Sequence, residues 1–207
     1  MKIRKPDVLP FSLLVIFILF WIVSAIAPRY REVWLAENLL TVAFVLLLIL
    51  TYRVFRFSNL SYSLLFGFML LHVLGSYYSY SEMPLFSYFK ELFGLSRNHY
   101  ERLVHFLFGI VFFLPLQEFC RKKLRLSQGW SLLFAFMTIA ALKGMYEVLE
   151  YGWLLVTKNE LIGMAYLGMQ GDAWDAQKDI FWGLVGAGMS WIGMAVKDDS
   201  RKKGKGK

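Results

Sequence analysis

Of 207 residues, 57% are hydrophobic and 18% aromatic, with a mean hydropathy of +0.49. That is too apolar for a water-soluble domain, in which about half the residues are apolar and about a quarter charged. The net charge of +8 does not point to nucleic acid, because Lys and Arg fall in short clusters at the ends of apolar runs, where they mark cytoplasmic loops of a membrane protein. The single cysteine, Cys120, excludes an intramolecular disulfide framework and a cysteine-based zinc cluster, and is read as an inert thiol.

The first apolar run, 8–27, follows Lys2, Arg4 and Lys5 and resembles a signal peptide with Ala25 and Ala27 at a cleavage position. Its length of about 20 residues suits a span, and Pro28 would follow the cut, so an uncleaved helix is expected. Further spans are expected at 33–52, 60–78, 99–118, 130–156 and 179–196. Between the third and fourth, Tyr77, Tyr78 and Tyr80 form an aromatic band, and Pro84 opens a short amphipathic helix lying in the membrane interface with Phe86, Phe89, Leu92 and Phe93 on its apolar side. The expectation is an all-α polytopic membrane protein, one six-helix domain over 1–196, with 197–207 a disordered basic tail. Placing both termini in the cytoplasm puts 15 of the 23 Lys and Arg on that side, 7 outside and Lys143 in the membrane.

The chemistry collects around GMQGDAWDAQKD, 168–179. On a helix, Asp172, Asp175 and Asp179 at i, i+3 and i+7 share one face and repel unless a cation sits among them. Lys143, Glu147 and Glu150 share a face of the fifth span at about 20, 25 and 30 Å from its cytoplasmic end, and His105 on the fourth lies at about 20 Å. Ionisable groups in spans are costly and default to function. The pairs expected are Lys143 with Glu147, Arg102 with Glu101 or the aspartates, and His105 with Glu147 or Glu150.

Hard oxygen ligands with an imidazole suit a divalent cation, Mg²⁺, Mn²⁺, Ca²⁺ or Zn²⁺. The metal set is then Asp172, Asp175, Asp179 and Glu147. Glu147, His105 and Glu150 form the acid/base set, and Arg102, Lys143, Gln170 and Gln177 contact substrate. Blander readings apply elsewhere. His72 is a packed or hydrogen-bonded histidine, and Glu118 pairs with Arg121 or Lys122. Met145, Met189 and Met194 fill core gaps, and Trp130, Trp153, Trp174 and Trp182 anchor at interfaces.

The blocks RNHYERLVHFLFG at 97–109, EVLEYG at 147–152 and GMQGDAWDAQKDIFWGLVGAG at 168–188 resemble the YjdF-type bacterial inner-membrane proteins, a family of unknown function. The resemblance covers the whole chain and implies a multi-pass inner-membrane protein. A weaker likeness is to VanZ-like membrane proteins through Glu147, Gln170, Asp179, Gly183 and Gly186, and it implies cell-envelope substrates. Together these readings predict an outward-facing polar site that hydrolyses or binds a lipid or lipid-linked phosphate. The alternatives are a proton- or ion-coupled transporter, for which a homo-oligomer could complete a pathway, and a non-catalytic structural protein.

Overall fold

The structure, a computed structural model, describes the backbone of residues 7–157 and 160–205. Lys2, Arg4 and Lys5, read as the first cytoplasmic charges, lie outside the described residues. Among those described, eight helices follow in order: α1 (Val8–Ser24), α2 (Arg31–Thr51), α3 (Asn59–Tyr78), α4 (Pro84–Leu92), α5 (Tyr100–Lys122), α6 (Gln128–Val156), α7 (Glu160–Leu167) and α8 (Asp175–Lys205). α2, α3, α5, α6 and the 175–198 part of α8 are long and apolar enough to cross a membrane. α1 is shorter, with 17 residues, about 26 Å at 1.5 Å per residue.

The ends of these helices follow local chemistry. α1 stops at Ser24, short of the expected 27, where Ala25 and Ile26 close i→i−3 bonds onto Ile22 and Val23. Pro28 disfavours helical geometry in the residue before it. Ser58 caps α3 by accepting from the Ser61 N–H at 3.1 Å, and Ser79 ends it in the left-handed region at φ 57°. Pro84 occupies the first turn of α4, where its missing N–H costs nothing. α8 starts at Asp175 rather than 179, setting an acidic side chain in its positive first turn. It also continues to Lys205 through the segment expected to be disordered; that stretch contains no proline and is rich in Lys and Arg, which favour helix. The short α7 was not expected.

α5 is the central element. It packs against α3 on one side and against α6 and α8 on the other, while α1 and α2 flank α3. Phe17, Phe68, Val104 and Phe112 knit α1, α3 and α5; Phe113, Ile139 and Ala187 knit α5, α6 and α8. The α5–α8 seam is closest, because a Cβ on Gly109 would meet the Gly183 carbonyl and one on Gly186 the Phe106 carbonyl. Small residues are what allow helix backbones to approach this closely in a membrane. Large apolar side chains cover the outside, including Leu39, Leu50, Val148 and Ile192, as lipid-facing surfaces require.

Two methionines expected in the core face outward instead: Met145 and Met189 are 55% and 56% exposed. Met194 is partly buried between α5, α6 and α8. Trp153 turns inward onto Tyr166, while Trp130, Trp174 and Trp182 are exposed. The bundle has two unlike ends. Arg53, Arg56, Arg121, Lys122, Lys123 and Arg125 gather at the basic end, where Glu118 meets Lys122 at 3.5 Å and also accepts from the Ser58 N–H at 2.9 Å. The opposite, polar end carries the site.

Candidate functional site

Three segments build the site. The start of α5 supplies Glu101, Arg102 and His105, with Arg97 and Asn98 just before it; the inner face of α6 supplies Lys143, Tyr146, Glu147 and Glu150; residues 168–179 supply the aspartates. Arg97, Glu101, Arg102, His105, Lys143, Glu150, Asp175 and Asp179 are all buried.

The cation required among the aspartates is Arg102. Its Nη2 meets Asp175 Oδ1 at 2.5 Å and Asp172 Oδ2 at 3.1 Å, and its Nε lies 3.0 Å from Asp179 Oδ1. Asp172 stands before the helix instead of on its face, yet reaches the same guanidinium. Glu101, the other partner considered for Arg102, pairs with Arg97 Nη2 at 3.1 Å, and Arg97 Nη1 also grips Asp175. Arg97 had no role in the sequence reading. It lies in the loop before α5, and only its i, i+4 spacing to Glu101 hinted at it.

The Gly168–Asp172 turn is shaped to receive these groups. Gly168, at φ +60°, faces the Glu101 carboxylate so closely that a Cβ would lie 2.5 Å from Oε2, so this position needs glycine on both steric and dihedral grounds. The Gly168 carbonyl accepts from Arg97 at 3.3 Å. Gln170 accepts from the Asn98 N–H at 2.8 Å and donates to the Asn98 carbonyl at 3.1 Å, which makes it a clamp between two loops. Asp172 accepts from the Trp174 N–H at 3.1 Å and from Lys178 at 2.6 Å. The Lys178 hydrogen bond, followed by those from Trp174 and Arg102, holds its carboxyl down at about 2. Gln177, expected to touch substrate, is exposed and not gathered with the cluster.

Deeper in, His105 Nδ1 lies 2.6 Å from Lys143 Nζ, 3.6 Å from Glu147 Oε1 and 3.7 Å from Asp179 Oδ1. Lys143 Nζ is 3.5 Å from Glu147, as expected from their i, i+4 spacing. Of the two glutamates considered for His105, Glu147 is the one paired. Glu101, His105 and Asp179 offer ligand atoms that all lie within 4.8 Å of one another, a grouping able to hold a metal ion. Of the expected metal set, Asp172, Asp175, Asp179 and Glu147, it includes Asp179, which Glu101 and His105 join.

Beyond His105, the Tyr146 ring stands edge-on to the imidazole, and its hydroxyl donates to Glu37 Oε2 at 2.9 Å. Glu37 is 1% exposed; a carboxylate inside a span was its sequence signal. His72 is hydrogen-bonded, as expected, by the Tyr80 hydroxyl at 2.6 Å. Burial pushes the Tyr80 hydroxyl well above its ordinary range, so it remains a neutral donor or acceptor.

The arrangement can therefore hold a cation, exchange protons among carboxylates and an imidazole, or both. Neither Arg102 nor Lys143 presents an unpaired charge to an anion, since each is already engaged within the cluster.

No solved structure matches the chain. It is 32% identical over 184 residues, covering 88% of this chain and 87% of the other, to the inner membrane protein YjdF of Escherichia coli (strain K12). Residues 9–199 match the family model described as predicted membrane protein, DUF2238, and with nearly all the helical bundle inside that match the chain belongs to this family of membrane proteins.

Proposed function

We propose that the chain is a six-span inner-membrane protein whose polar end faces away from the cytoplasm and acts on, or binds, the head group of a lipid or lipid-linked phosphate. The 15 to 7 division of basic residues supports this orientation, and the 32% identity to an inner membrane protein supports the membrane. α1 serves as the sixth span by its apolarity, and α4 lies in the interface, with Leu85, Tyr88, Leu92 and Phe93 exposed while Phe86 packs on Tyr100.

The observation that carries the proposal is a charge imbalance. Seven carboxylates, Glu37, Glu101, Glu147, Glu150, Asp172, Asp175 and Asp179, gather with four basic side chains, Arg97, Arg102, Lys143 and Lys178, and one imidazole. A packing network would balance its charges, because an uncompensated buried carboxylate costs several kcal/mol. Glu147 Oε1 and Asp175 Oδ2 are buried with no hydrogen-bond partner. Groups held in this condition are poised for exchange with a ligand or proton. Glu147 acts as base, His105 orients it, and Glu150 one turn on stores the proton.

The test is a comparison of membrane lipids and lipid-linked intermediates in a deletion strain carrying the wild type or Glu147→Gln at equal protein level. The expected result is that only the wild type alters a lipid class. Identical lipid profiles from the two would overturn the reading.

A second reading, a proton relay, is favoured by the close titratable groups Asp179, His105, Lys143 and Glu147, at 3.7, 2.6 and 3.5 Å in turn, with the hydrogen-bonded Tyr146–Glu37 pair behind them. Proton uptake by proteoliposomes that is lost in Glu37→Gln would support it.

A further inference from the structure

The unpartnered carboxylate oxygens and the lysine among them pose one question: which cation does this cage prefer? Asp179 Oδ1 and Glu147 Oε1 have no hydrogen-bond partner, although their side chains are only 3% and 8% exposed. Arg102 Nε comes within 3.0 Å of Asp179 Oδ1, but it too is without a hydrogen bond, so the two atoms are near and misaligned. Both oxygens converge on His105 Nδ1, at 3.7 and 3.6 Å. Glu101 completes the group, with all three ligand atoms of Glu101, His105 and Asp179 inside 4.8 Å of one another.

We propose that Glu101, His105 and Asp179 bind one divalent cation of borderline hardness, Zn²⁺ or Mn²⁺, with Glu147 beside it as the base, and that the Lys143 ammonium is the alternative occupant of the same cage. The inference rests on the cluster being a functional site and specifies what fills it. One imidazole with carboxylates suits Zn²⁺ or Mn²⁺ better than Ca²⁺ or Mg²⁺, which prefer oxygen alone. Bonds of about 2.0–2.2 Å place neighbouring ligand atoms about 3.4 Å apart, so the group closes by side-chain movements of about 1 Å.

Lys143 already stands where such an ion would. Its Nζ is 2.6 Å from the one imidazole nitrogen that faces the carboxylates and 3.5 Å from Glu147 Oε1. The aliphatic stem runs against Gly183 of α8, whose missing side chain leaves it room. A displaced ammonium has a landing place in the faces of Tyr146 and Phe108, whose ring centres lie 4.9 and 5.9 Å from Nζ. Metal and ammonium therefore compete for one anionic cage. When the metal is bound, its remaining coordination position is free for water or a head-group oxygen.

Competition predicts mutations of opposite sign, which a structural role for the cluster would not produce. Chelator-stripped protein in detergent is titrated calorimetrically with ZnCl₂ and with MnCl₂. The wild type takes up one equivalent of at least one of them. His105→Gln and Asp179→Asn weaken binding at least about tenfold, whereas Lys143→Met tightens it by about tenfold, the change that about 1.4 kcal/mol of relieved competition gives. The proposal is overturned if wild type and Lys143→Met both fail to bind, if Lys143→Met binds no tighter than wild type, or if both ligand variants bind undiminished. Should the ligand variants misfold, the gain in Lys143→Met decides alone. Because the titration reads metal and not lipid turnover, failure here with a positive lipid comparison removes the metal and leaves the acid–base reading standing.

Discussion

Two polar networks are buried at the same end of this bundle, and they are built on opposite terms. Between α1, α2 and α3, the Trp21 indole donates to Asn38 at 2.7 Å, Asn38 donates to the Trp34 carbonyl at 2.8 Å and to Ser76 at 3.0 Å, and the Trp34 indole donates to Ser24 at 3.2 Å. Every group in that network is neutral and partnered. Between α5, α6 and α8 the groups are charged, carboxylates outnumber cations, and several oxygens lack partners. The first network fixes helix register at little electrostatic risk; the second holds charge that packing alone does not call for.

The sharpest way to break this contrast is to remove the cation common to the three aspartates. Arg102→Met leaves Asp172, Asp175 and Asp179 without it and should destabilise the detergent-solubilised protein by about 3–5 kcal/mol, read as a large fall in melting temperature. Adding Asp175→Asn to that variant should recover part of the loss.

Next in size is the seam that joins the two charged helices. Gly186→Ala drives a methyl into the Phe106 carbonyl and should cost about 1–3 kcal/mol, whereas Gly193→Ala, with nothing within 4 Å, should be silent in the same melt. On the neutral side, Asn38→Ala strands the Trp21 N–H and should also cost about 1–3 kcal/mol. Unlike Glu147→Gln, it should leave the lipid profile at the wild-type result once protein levels are matched. A lipid effect as large as that of Glu147→Gln would erase the distinction between the networks.

The smallest effect belongs to the exposed rim. Asp172 is held at about 2 in the folded protein, against about 3.9 in an unfolded chain. A depressed carboxyl contributes stability that is present above the unfolded value and is lost as pH falls through the folded one. The difference in melting temperature between wild type and Lys178→Met should thus be small but full above about pH 4 and close as pH falls toward about 2.

Much of the charged network was legible in the sequence because helical spacing reports which residues share a face. Lys143 with Glu147, the need for a cation among the aspartates, and the meeting of His105 with α6 all follow from spacing and depth. The rotation of one helix against another does not. Glu37 and Tyr146 meet across 109 residues, and nothing along either helix announces the pair. Arg97 sits outside the helical repeat, so its grip on Asp175 was equally hidden. Met145 and Met189 were misplaced for a related reason: in lipid, apolar residues suit the outside of a bundle as well as its core, and hydropathy cannot separate the two.

The position of α8 in the chain has a consequence for how the protein is made. Every carboxylate that Arg102 engages lies between Asp172 and Asp179, so until α8 leaves the ribosome the arginine has only Glu101 nearby and the Lys143 pair is open on one side. A nascent chain halted before Asp172 therefore carries unneutralised charge at membrane depth and leaves Gly109 of α5 without the α8 backbone that covers it. Exposed charge of this kind makes an intermediate prone to misassembly, and the addition of 172–179 and α8 converts it into a closed bundle.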